Sequence, residues 1–145
     1  MRSLKLVAFA AILPAALATQ NPKLTWGPAP AVFPAGAKMA VLQGDPSKPE
    51  LFTVRLDMPD GYTIKPHFHP TDEHITVISG SFKIGMGDKV EAAKMETLTA
   101  GGFGTAPANM HHYAIAKGHT VVQVHAIGPF QLTYVNAADD PSKKK

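Results

Sequence analysis

The 145-residue chain contains no cysteine, which excludes disulfide frameworks, Cys-ligated zinc sites, iron–sulfur clusters and thiol nucleophiles. Charged residues are also scarce, at 17% of the chain, and 14 basic side chains against 11 acidic ones give a net charge of only +3. Lysine and arginine form no cluster beyond the short basic tail at residues 143–145. The sequence therefore predicts no nucleic-acid partner.

The chain also lacks an apolar run long enough to span a bilayer comfortably. Its apolar stretch at residues 6–17 follows Arg2 and Lys5 and leads into the small-x-small motif that ends at Ala18. This pattern predicts a Sec-type signal peptide at residues 1–18, with cleavage after Ala18. We therefore expect a periplasmic or secreted protein that has no membrane contact once the signal is removed. Its net charge is then +1.

Helical patterns are rare, whereas proline (13 residues) and glycine (12 residues) are abundant. Four prolines fall within residues 19–36, which excludes a helix there and predicts an extended arm, pinned by Trp26 and Phe33. The length of the chain predicts one folded domain, and we place it at residues 37–136. Residues 137–145 are expected to form a flexible C-terminal tail.

Short strands between turns account for the folded domain. Residues 51–58 show the clearest alternation, with an apolar side chain at every even position. Further strands are predicted at residues 38–43, 71–79, 81–86, 112–116, 120–127 and 130–135. Only residues 90–98 have a helical composition, and they can equally form an excursion between strands. This succession of strands and turns predicts an all-β sandwich or barrel, whose core is expected to hold Met58, Met86, Met95 and Met110.

All seven histidines lie between positions 67 and 125, and three of them belong to the sequence HFHPTDEH at residues 67–74. In an extended chain, side chains two residues apart share a face, so parity can place His67, His69 and Glu73 on one side. Two imidazoles and a carboxylate that leave positions open are a recurring ligand set for catalytic transition metals. A histidine-rich surface turn with no ligand role is the alternative interpretation.

A fourth ligand is expected from the segment that ends in His111 and His112. Adjacent residues of a strand point to opposite faces, so only one of the two histidines can normally face a metal. The spacing alone does not choose between them.

The two histidine-containing segments resemble the paired motifs of the cupin superfamily. The first motif is Gly-x5-His-x-His-x3-4-Glu-x6-Gly, and every position is matched, by Gly61, His67, His69, Glu73 and Gly80. The second is Gly-x5-Pro-x-Gly-x2-His-x3-Asn, and three positions are matched, by Gly101, Pro107 and His112. Asn109 replaces its second glycine, which is a mild change because asparagine tolerates positive φ, and Ala116 replaces its final asparagine.

The resemblance implies a double-stranded β-helix, or jelly-roll barrel, with one divalent transition metal ion inside its open end. It implies that His112 joins the three ligands of the first motif, and that His111 turns outward or lines the rim. His74 is expected at the surface or at a subunit interface. The resemblance also implies a homodimer and a small-molecule ligand or substrate. Acquisition of the metal outside the cytoplasm favours zinc or copper, with manganese, iron and nickel as further candidates.

Cupins with such ligands include dioxygenases, oxalate-processing enzymes, isomerases, epimerases and non-catalytic binding proteins, so two classes of function stay open. The first is a metal-dependent oxidoreductase, lyase or isomerase acting on a small oxygen-bearing molecule. The second is a binding or sensing module. An enzyme is expected to hold an acid or base beside the metal, and the candidates for pocket residues are His125, Gln123 and Arg55. If all three point outward from an apolar cavity, the binding module is favoured.

Overall fold

The protein is described by a computed structural model that covers residues 23–144, so the predicted signal peptide at residues 1–18 lies outside the described residues. Nine strands follow one another in the described part of the chain: β1 (Gly27–Pro28), β2 (Lys38–Gln43), β3 (Leu51–Met58), β4 (Thr63–Phe68), β5 (Glu73–Met86), β6 (Glu96–Thr99), β7 (Phe103–Ala106), β8 (His112–Ile127) and β9 (Thr133–Tyr134). Three 3-10 turns complete the secondary structure, at Ala92–Lys94, Ala137–Asp139 and Pro141–Lys143. The predicted all-β fold is confirmed.

The two long strands β5 and β8 each take part in two sheets. The first half of β5 pairs with β7 and with the second half of β8, whereas its second half pairs with β6 and with the first half of β8. The front sheet therefore runs β1-β2-β3-β8-β5-β7, and the back sheet runs β9-β4-β8-β5-β6. All neighbouring strands are antiparallel, and the arrangement is the predicted jelly-roll barrel.

Glycine lets each long strand pass from one sheet to the other. Gly80 has a φ of 78° and lies where the pairing of β5 with β8 changes register. A side chain at this position would overlap the backbone of His119 and Thr120. Gly118 has a φ of 72° within β8. Because L-residues with side chains rarely adopt such angles, glycine is required where the strands bend.

The core lies between the two sheets. The even positions of β3 are all buried, as the alternation predicts, because they face the barrel interior: Phe52, Val54, Leu56 and Met58. They pack with inward side chains of the other long strands, Ile75, Val77, Phe82, Val122 and Val124. Burial of each large apolar side chain contributes about 1.5–3 kcal/mol, so this packing stabilises the frame that holds the barrel's open end.

The described part of the N-terminal arm, residues 23–36, packs against the barrel. Phe33 is buried, and Trp26 is half-buried. Two tyrosines of the barrel bind backbone carbonyls of the arm: the Tyr62 hydroxyl donates to Pro34 at 2.5 Å, and the Tyr134 hydroxyl donates to Val32 at 2.9 Å. The arm thus closes one side of the barrel.

The structure settles one choice that the sequence leaves open and corrects two predictions. Residues 90–98 form a 3-10 turn followed by the edge strand β6, because pairing with β5 outweighs a weak helical preference. The predicted strand at residues 130–135 is reduced to β9. Two of the four methionines expected in the core, Met86 and Met110, are exposed instead. Within residues 23–144, no helix has the length and apolar character needed to cross a membrane.

Candidate metal centre

The structure brings four of the predicted site residues together at one end of the barrel. His67 lies near the end of β4, His69 directly follows that strand, Glu73 begins β5 and His112 begins β8. All four are buried, with the histidines 2–3% exposed and Glu73 7% exposed. One nitrogen from each of His67, His69 and His112 lies within 4.8 Å of the others. The three imidazoles therefore form a compact cluster with the carboxylate beside it.

Strand pairing and one tight turn produce this convergence. His67 and His112 are direct partners in the pairing of β4 with β8. Asn109, at the position where the second motif has glycine, has a φ of 60°, and its backbone N–H donates to the His69 carbonyl at 2.7 Å. The Ala108 N–H donates to the Asp72 carboxylate at 2.8 Å. The two motif segments are thus tied to each other on either side of the cluster.

Each of the three imidazoles is oriented by a backbone carbonyl. The distances from Nδ1 to the carbonyl oxygen are 2.7 Å for His67 and Lys65, 2.7 Å for His69 and Gln131, and 2.9 Å for His112 and Met110. Since a carbonyl only accepts, each Nδ1 carries a proton, and in the neutral imidazole Nε2 then presents a lone pair. The Nε2 atoms of His69 and His112 are buried without a hydrogen-bond partner.

Unpartnered buried nitrogens are costly, and a metal ion would satisfy them. The carbonyl partners supply the outer hydrogen bonds that metal-binding histidines ordinarily have. Three imidazoles with an adjacent carboxylate are ligands that suit divalent transition metals. The residues present therefore fit one such ion, held by His67, His69 and His112 with Glu73. No sequence signal could have identified the three carbonyl groups, because any residue can supply a backbone oxygen.

Glu73 supplies the negative charge of the cluster. One of its carboxylate oxygens, Oε2, lies 3.5 Å from the Nε2 of His69 and 3.4 Å from that of His112. Burial raises the pKa of Glu73, but the two imidazoles outweigh burial and hold that pKa well below its usual value. Burial lowers the pKa of His69, but the nearby Glu73 carboxylate raises that pKa by a larger amount, so the net shift is upward.

The pKa of His67 shifts the other way, because burial and the neighbouring imidazoles outweigh the carboxylate. Burial, followed by the proximity of His112 and His69, lowers its pKa to about 3. The His67 imidazole is therefore neutral across the physiological pH range, which is the form that binds metals.

The cavity beside the cluster is small and apolar. Apart from His67, Glu73 and His112, its lining consists of hydrophobic side chains: Leu56, Ile75, Phe82, Ile84, Ala114, Val122 and Val124. Its volume of about 20 Å³ holds about one water molecule. On the other side of the cluster, the Phe130 ring stacks on His69 with centroids 4.9 Å apart. The site excludes bulk water and leaves room for a ligand of very few atoms.

The other two histidines of the motif segments point away from the cluster. His111 pairs with the Asp88 carboxylate through Nδ1 at 2.5 Å on the outer surface. His74 lies on the outer face of the front sheet, where its Nδ1 is 3.1 Å from the Thr105 hydroxyl. The structure thus resolves the choice that spacing left open, since His112 and not His111 faces the cluster.

The three predicted pocket residues lie outside the cavity, which corrects that prediction. His125 and Gln123 alternate along β8 with the inward Val122 and Val124, so they occupy the outer face of the sheet. There the Nδ1 of His125 lies 2.8 Å from the Thr53 hydroxyl. Arg55 is on the same outer face, and its Nε donates to the Gln123 side-chain oxygen at 3.2 Å. These polar groups satisfy one another and do not reach the cluster.

The curled antiparallel barrel, with its histidine cluster at one end, has the fold of solved cupin proteins. The family model described as "Domain of unknown function (DUF4437)" matches residues 11–133, and the chain belongs to this family. A search among curated proteins returned no match.

Several solved structures share the fold. A protein from Methylibium petroleiphilum, provisionally named an acetylacetone dioxygenase, is 23% identical with a TM-score of 0.63, over 97% of this chain and 90% of its own. An RmlC-like cupin from Shewanella frigidimarina is 19% identical with a TM-score of 0.57, over 76% and 89%. The polyketide cyclase RemF from Streptomyces resistomycificus is 19% identical with a TM-score of 0.59, over 74% and 76%. At these identities the likeness shows the fold alone.

Proposed function

We propose that this protein is a metal-dependent oxidoreductase that uses dioxygen on a small oxygen-bearing molecule. One divalent transition metal ion is held by His67, His69, His112 and Glu73. The observation that carries the proposal is the set of three buried imidazoles whose Nδ1 atoms are fixed by carbonyls and whose other nitrogens converge. A bound redox-active ion would supply Lewis acidity and electron transfer to this site.

The protein's own contribution is to orient the ligands and to exclude water. The carbonyls of Lys65, Gln131 and Met110 keep each imidazole in the metal-binding tautomer. The apolar walls keep bulk water out, which protects reactive oxygen chemistry from side reactions. The cavity admits a ligand the size of water or dioxygen, so a larger substrate approaches the ion from the open end.

The residues that line the cavity argue against reactions that need a separate acid or base. Within the described residues, no acid or base other than the proposed ligands lines the cavity, because Arg55, Gln123 and His125 lie on the outer face. Lyases and isomerases usually need such a group to move a proton, so these reactions drop out of the proposal. Among these reactions, oxidation by dioxygen at a metal has the least need for a separate acid or base.

A non-catalytic module that binds a metal with a small ligand is the second candidate, and it meets the condition expected from the sequence, because Arg55, Gln123 and His125 all point outward from an apolar cavity. Oxidation by dioxygen stays the first candidate because it does not depend on those three side chains. The apolar lining favours it for the same reason that it disfavours acid–base catalysis. The metal separates the two candidates, because copper, iron or manganese can exchange electrons with dioxygen whereas zinc cannot.

The test begins with the native metal. Protein purified without a tag from the periplasm or culture medium is analysed by mass spectrometry for its metals. The metal-depleted protein is then loaded with copper, iron, manganese or zinc, and dioxygen uptake is measured with acetylacetone or oxalate as small chelating substrates. His67→Ala is expected to abolish both metal loading and uptake, whereas the matched surface variant His74→Ala leaves both unchanged.

The outcomes divide cleanly. Metal-dependent dioxygen uptake that His67→Ala removes supports the oxidoreductase. Native zinc and tight metal binding without uptake under any loading support the binding module. Equal metal content in the wild type and in His67→Ala would overturn both candidates, since no ion would then occupy the cluster.

We also propose that the protein is exported and forms a homodimer. The support for export is the predicted signal peptide at residues 1–18. The mass of the mature protein is expected to be that of a chain that begins at Thr19. The support for the dimer is the exposed apolar content of the front sheet, including Phe103 at 61% exposed. Sedimentation analysis of the mature protein tests it, and a monomer at high concentration would contradict it.

A further inference from the structure

A cleft lies between two sheet edges, β6 of the back sheet and β7 of the front sheet. Within the described residues, each of these strands pairs only with β5. The turn between them is closed by the Gly102 N–H, which donates to the Thr99 carbonyl at 2.7 Å. The cleft has a volume of about 450 Å³, and small-molecule sites usually have roughly 300–1,000 Å³.

The side chains of the cleft belong to the inner faces of both sheets. On the back sheet, Ile84 is the direct partner of the buried Ala114 on one side and of Glu96 on the other. On the front sheet, Gly104 is the direct partner of the buried Ile75. Because directly paired residues share a face, these positions all face inward. The cleft is therefore a gap in the wall of the barrel.

Both walls of the cleft adjoin the proposed metal ligands. On the back wall, Met86 is the direct partner of His112, so the two side chains share the inner face. On the front wall, Ala106 is the direct partner of Glu73. Met86 and Ala106 both line the cleft, which explains why an inward methionine is 44% exposed. A molecule in the cleft would thus lie beside a proposed ligand on either wall.

Ile84 separates the cleft from the cavity beside the cluster, since its side chain lines both. The space next to Ile84 depends on Gly104. A Cβ atom at Gly104 would lie 3.3 Å from the Cδ1 of Leu98 and 4.0 Å from the Cδ1 of Ile84. Because glycine has no side chain, the space between the two sheets stays open at this point.

The lining favours an uncharged, apolar ligand. Four side chains supply apolar surface: Ile84, Met86, Leu98 and Phe103. The two charged side chains of the lining, Lys94 and Glu96, have opposite signs and are both exposed. The Lys94 Nζ also lies 2.7 Å from the Glu91 carboxylate, which already neutralises it. A dianion would therefore find neither a free cation nor a use for the apolar walls.

We propose that this cleft binds the organic part of the substrate, and that Gly104 and Ile84 determine which substrates fit. The substrate is a small molecule with two parts. An end with chelating oxygens passes Ile84 to reach the cluster, and an uncharged apolar body stays in the cleft. This inference rests on the proposed function of the cluster, and it disfavours small dianions such as oxalate as substrates.

The test uses the Zn(II)-loaded protein and two hydroxamates, whose head groups chelate metal ions through two oxygens. Hexanohydroxamate has four methylene groups more than acetohydroxamate. It should bind more than about 10-fold tighter, because each methylene that is buried strengthens binding by about 4-fold. Gly104→Val should remove this gain and leave the affinity for acetohydroxamate unchanged. Gly27→Val should keep the gain, because no atom lies within 4 Å of an added Cβ there.

A measurement on the wild type guards against a variant that folds poorly. Hexanohydroxamate should shift the methyl resonances of Ile84 and Leu98 in the nuclear magnetic resonance spectrum. Those of Ile78 and Val41, which are exposed elsewhere on the surface, should stay in place. The metal-free protein should show the same shifts at higher hydroxamate concentration, because the apolar tail still enters the cleft.

The outcomes distinguish the cleft from the metal centre. If the Zn(II)-loaded protein binds both hydroxamates with equal affinity, the cleft is overturned while the proposed metal centre stands. A gain that survives in Gly104→Val, or a lack of shifts at Ile84 and Leu98, would also overturn the cleft. A protein that binds no Zn(II) but shows both shifts would support the cleft as a ligand site and overturn the proposed function of the cluster.

Discussion

The imidazoles of His67 and His112 face each other across the pairing of β4 with β8, with ring centroids 4.2 Å apart. Both rings are almost fully buried, and each donates its Nδ1 proton to a carbonyl two residues away along its own strand segment. Two protonated imidazoles at this distance would repel each other in a site shielded from water. Together with burial, which is the larger cause, this repulsion lowers the pKa of His67.

The first prediction concerns the neighbours His111 and His112. His112→Ala should reduce the affinity for Zn(II) or Cu(II) by more than about 100-fold, because loss of a ligand exceeds the roughly 10- to 100-fold cost of losing an outer partner. His111→Ala should leave the affinity for Zn(II) unchanged, since its ring lies on the outer surface. Competition titration with a chelating dye measures both, and equal losses would contradict the assigned orientation.

The second prediction concerns the contact between Gly85 and the buried ring of Tyr113. A methyl group at Gly85 would overlap that ring, which is completely buried and hydrogen-bonded to the backbone of Glu91. Gly85→Ala should therefore lower the free energy of unfolding by about 1–3 kcal/mol, the usual cost of overpacking. Gly27→Ala is the matched control, because no atom lies within 4 Å of the added methyl group. Urea denaturation of both variants provides the comparison, and equal midpoints would refute the packing argument.

The third prediction concerns alkaline pH. Burial, followed by the charge of Tyr134, raises the pKa of Tyr62 well above its usual value. Burial, followed by Asp140 and Asp139, raises the pKa of Tyr134 to about 12. Because both pKa values are raised on folding, the tyrosines stabilise the fold fully below about pH 10, the value of an unperturbed tyrosine, and that stability is lost as the pH rises above it.

Unfolding monitored as a function of pH tests this third prediction. The wild type should lose stability progressively above pH 10, and Tyr62→Phe/Tyr134→Phe should lose less with pH while being less stable at pH 7. Each lost hydrogen bond to the arm costs about 1 kcal/mol at neutral pH. Identical pH profiles for the two proteins would show that these hydroxyls do not titrate with folding.

The fourth prediction concerns His125, which the structure places outside the cavity. His125→Ala should leave metal content and any dioxygen uptake unchanged, because the ring lies on the outer face beside Thr53. The lost hydrogen bond should cost about 1 kcal/mol of stability, as should the matched variant Thr53→Val. If His125→Ala instead lost dioxygen uptake while keeping its full metal content, His125 would belong to the functional site.

The alternation of apolar and polar side chains made residues 51–58 the most predictable strand. The predicted strands at residues 38–43 and 51–58 coincide with β2 and β3. The bent strands were predicted in pieces, because Gly80 and Gly118 look like turn residues in the sequence. In the structure each glycine adopts positive φ while the ladder continues past it, so β5 and β8 are unbroken. A local signal cannot distinguish a bend within a strand from its end.

The cluster was predictable by resemblance, but the pocket lining was not. In β8 the odd residues include Val121 beside Gln123 and His125, and the even ones include Thr120 beside Val122 and Val124. Each face thus mixes polar with apolar side chains, and sequence alone does not say which face turns inward. The register with β3 settles it, since Val124 pairs with the fully buried Val54.

Glu73 belongs to the front sheet, whereas His67 and His112 belong to the back sheet. An ion bound by these side chains would cross-link the front and back sheets at the open end of the barrel. Free ion at 100 times its dissociation constant would then raise the unfolding free energy by about 2.7 kcal/mol. The melting temperature of the whole domain would consequently report how much ion its surroundings supply.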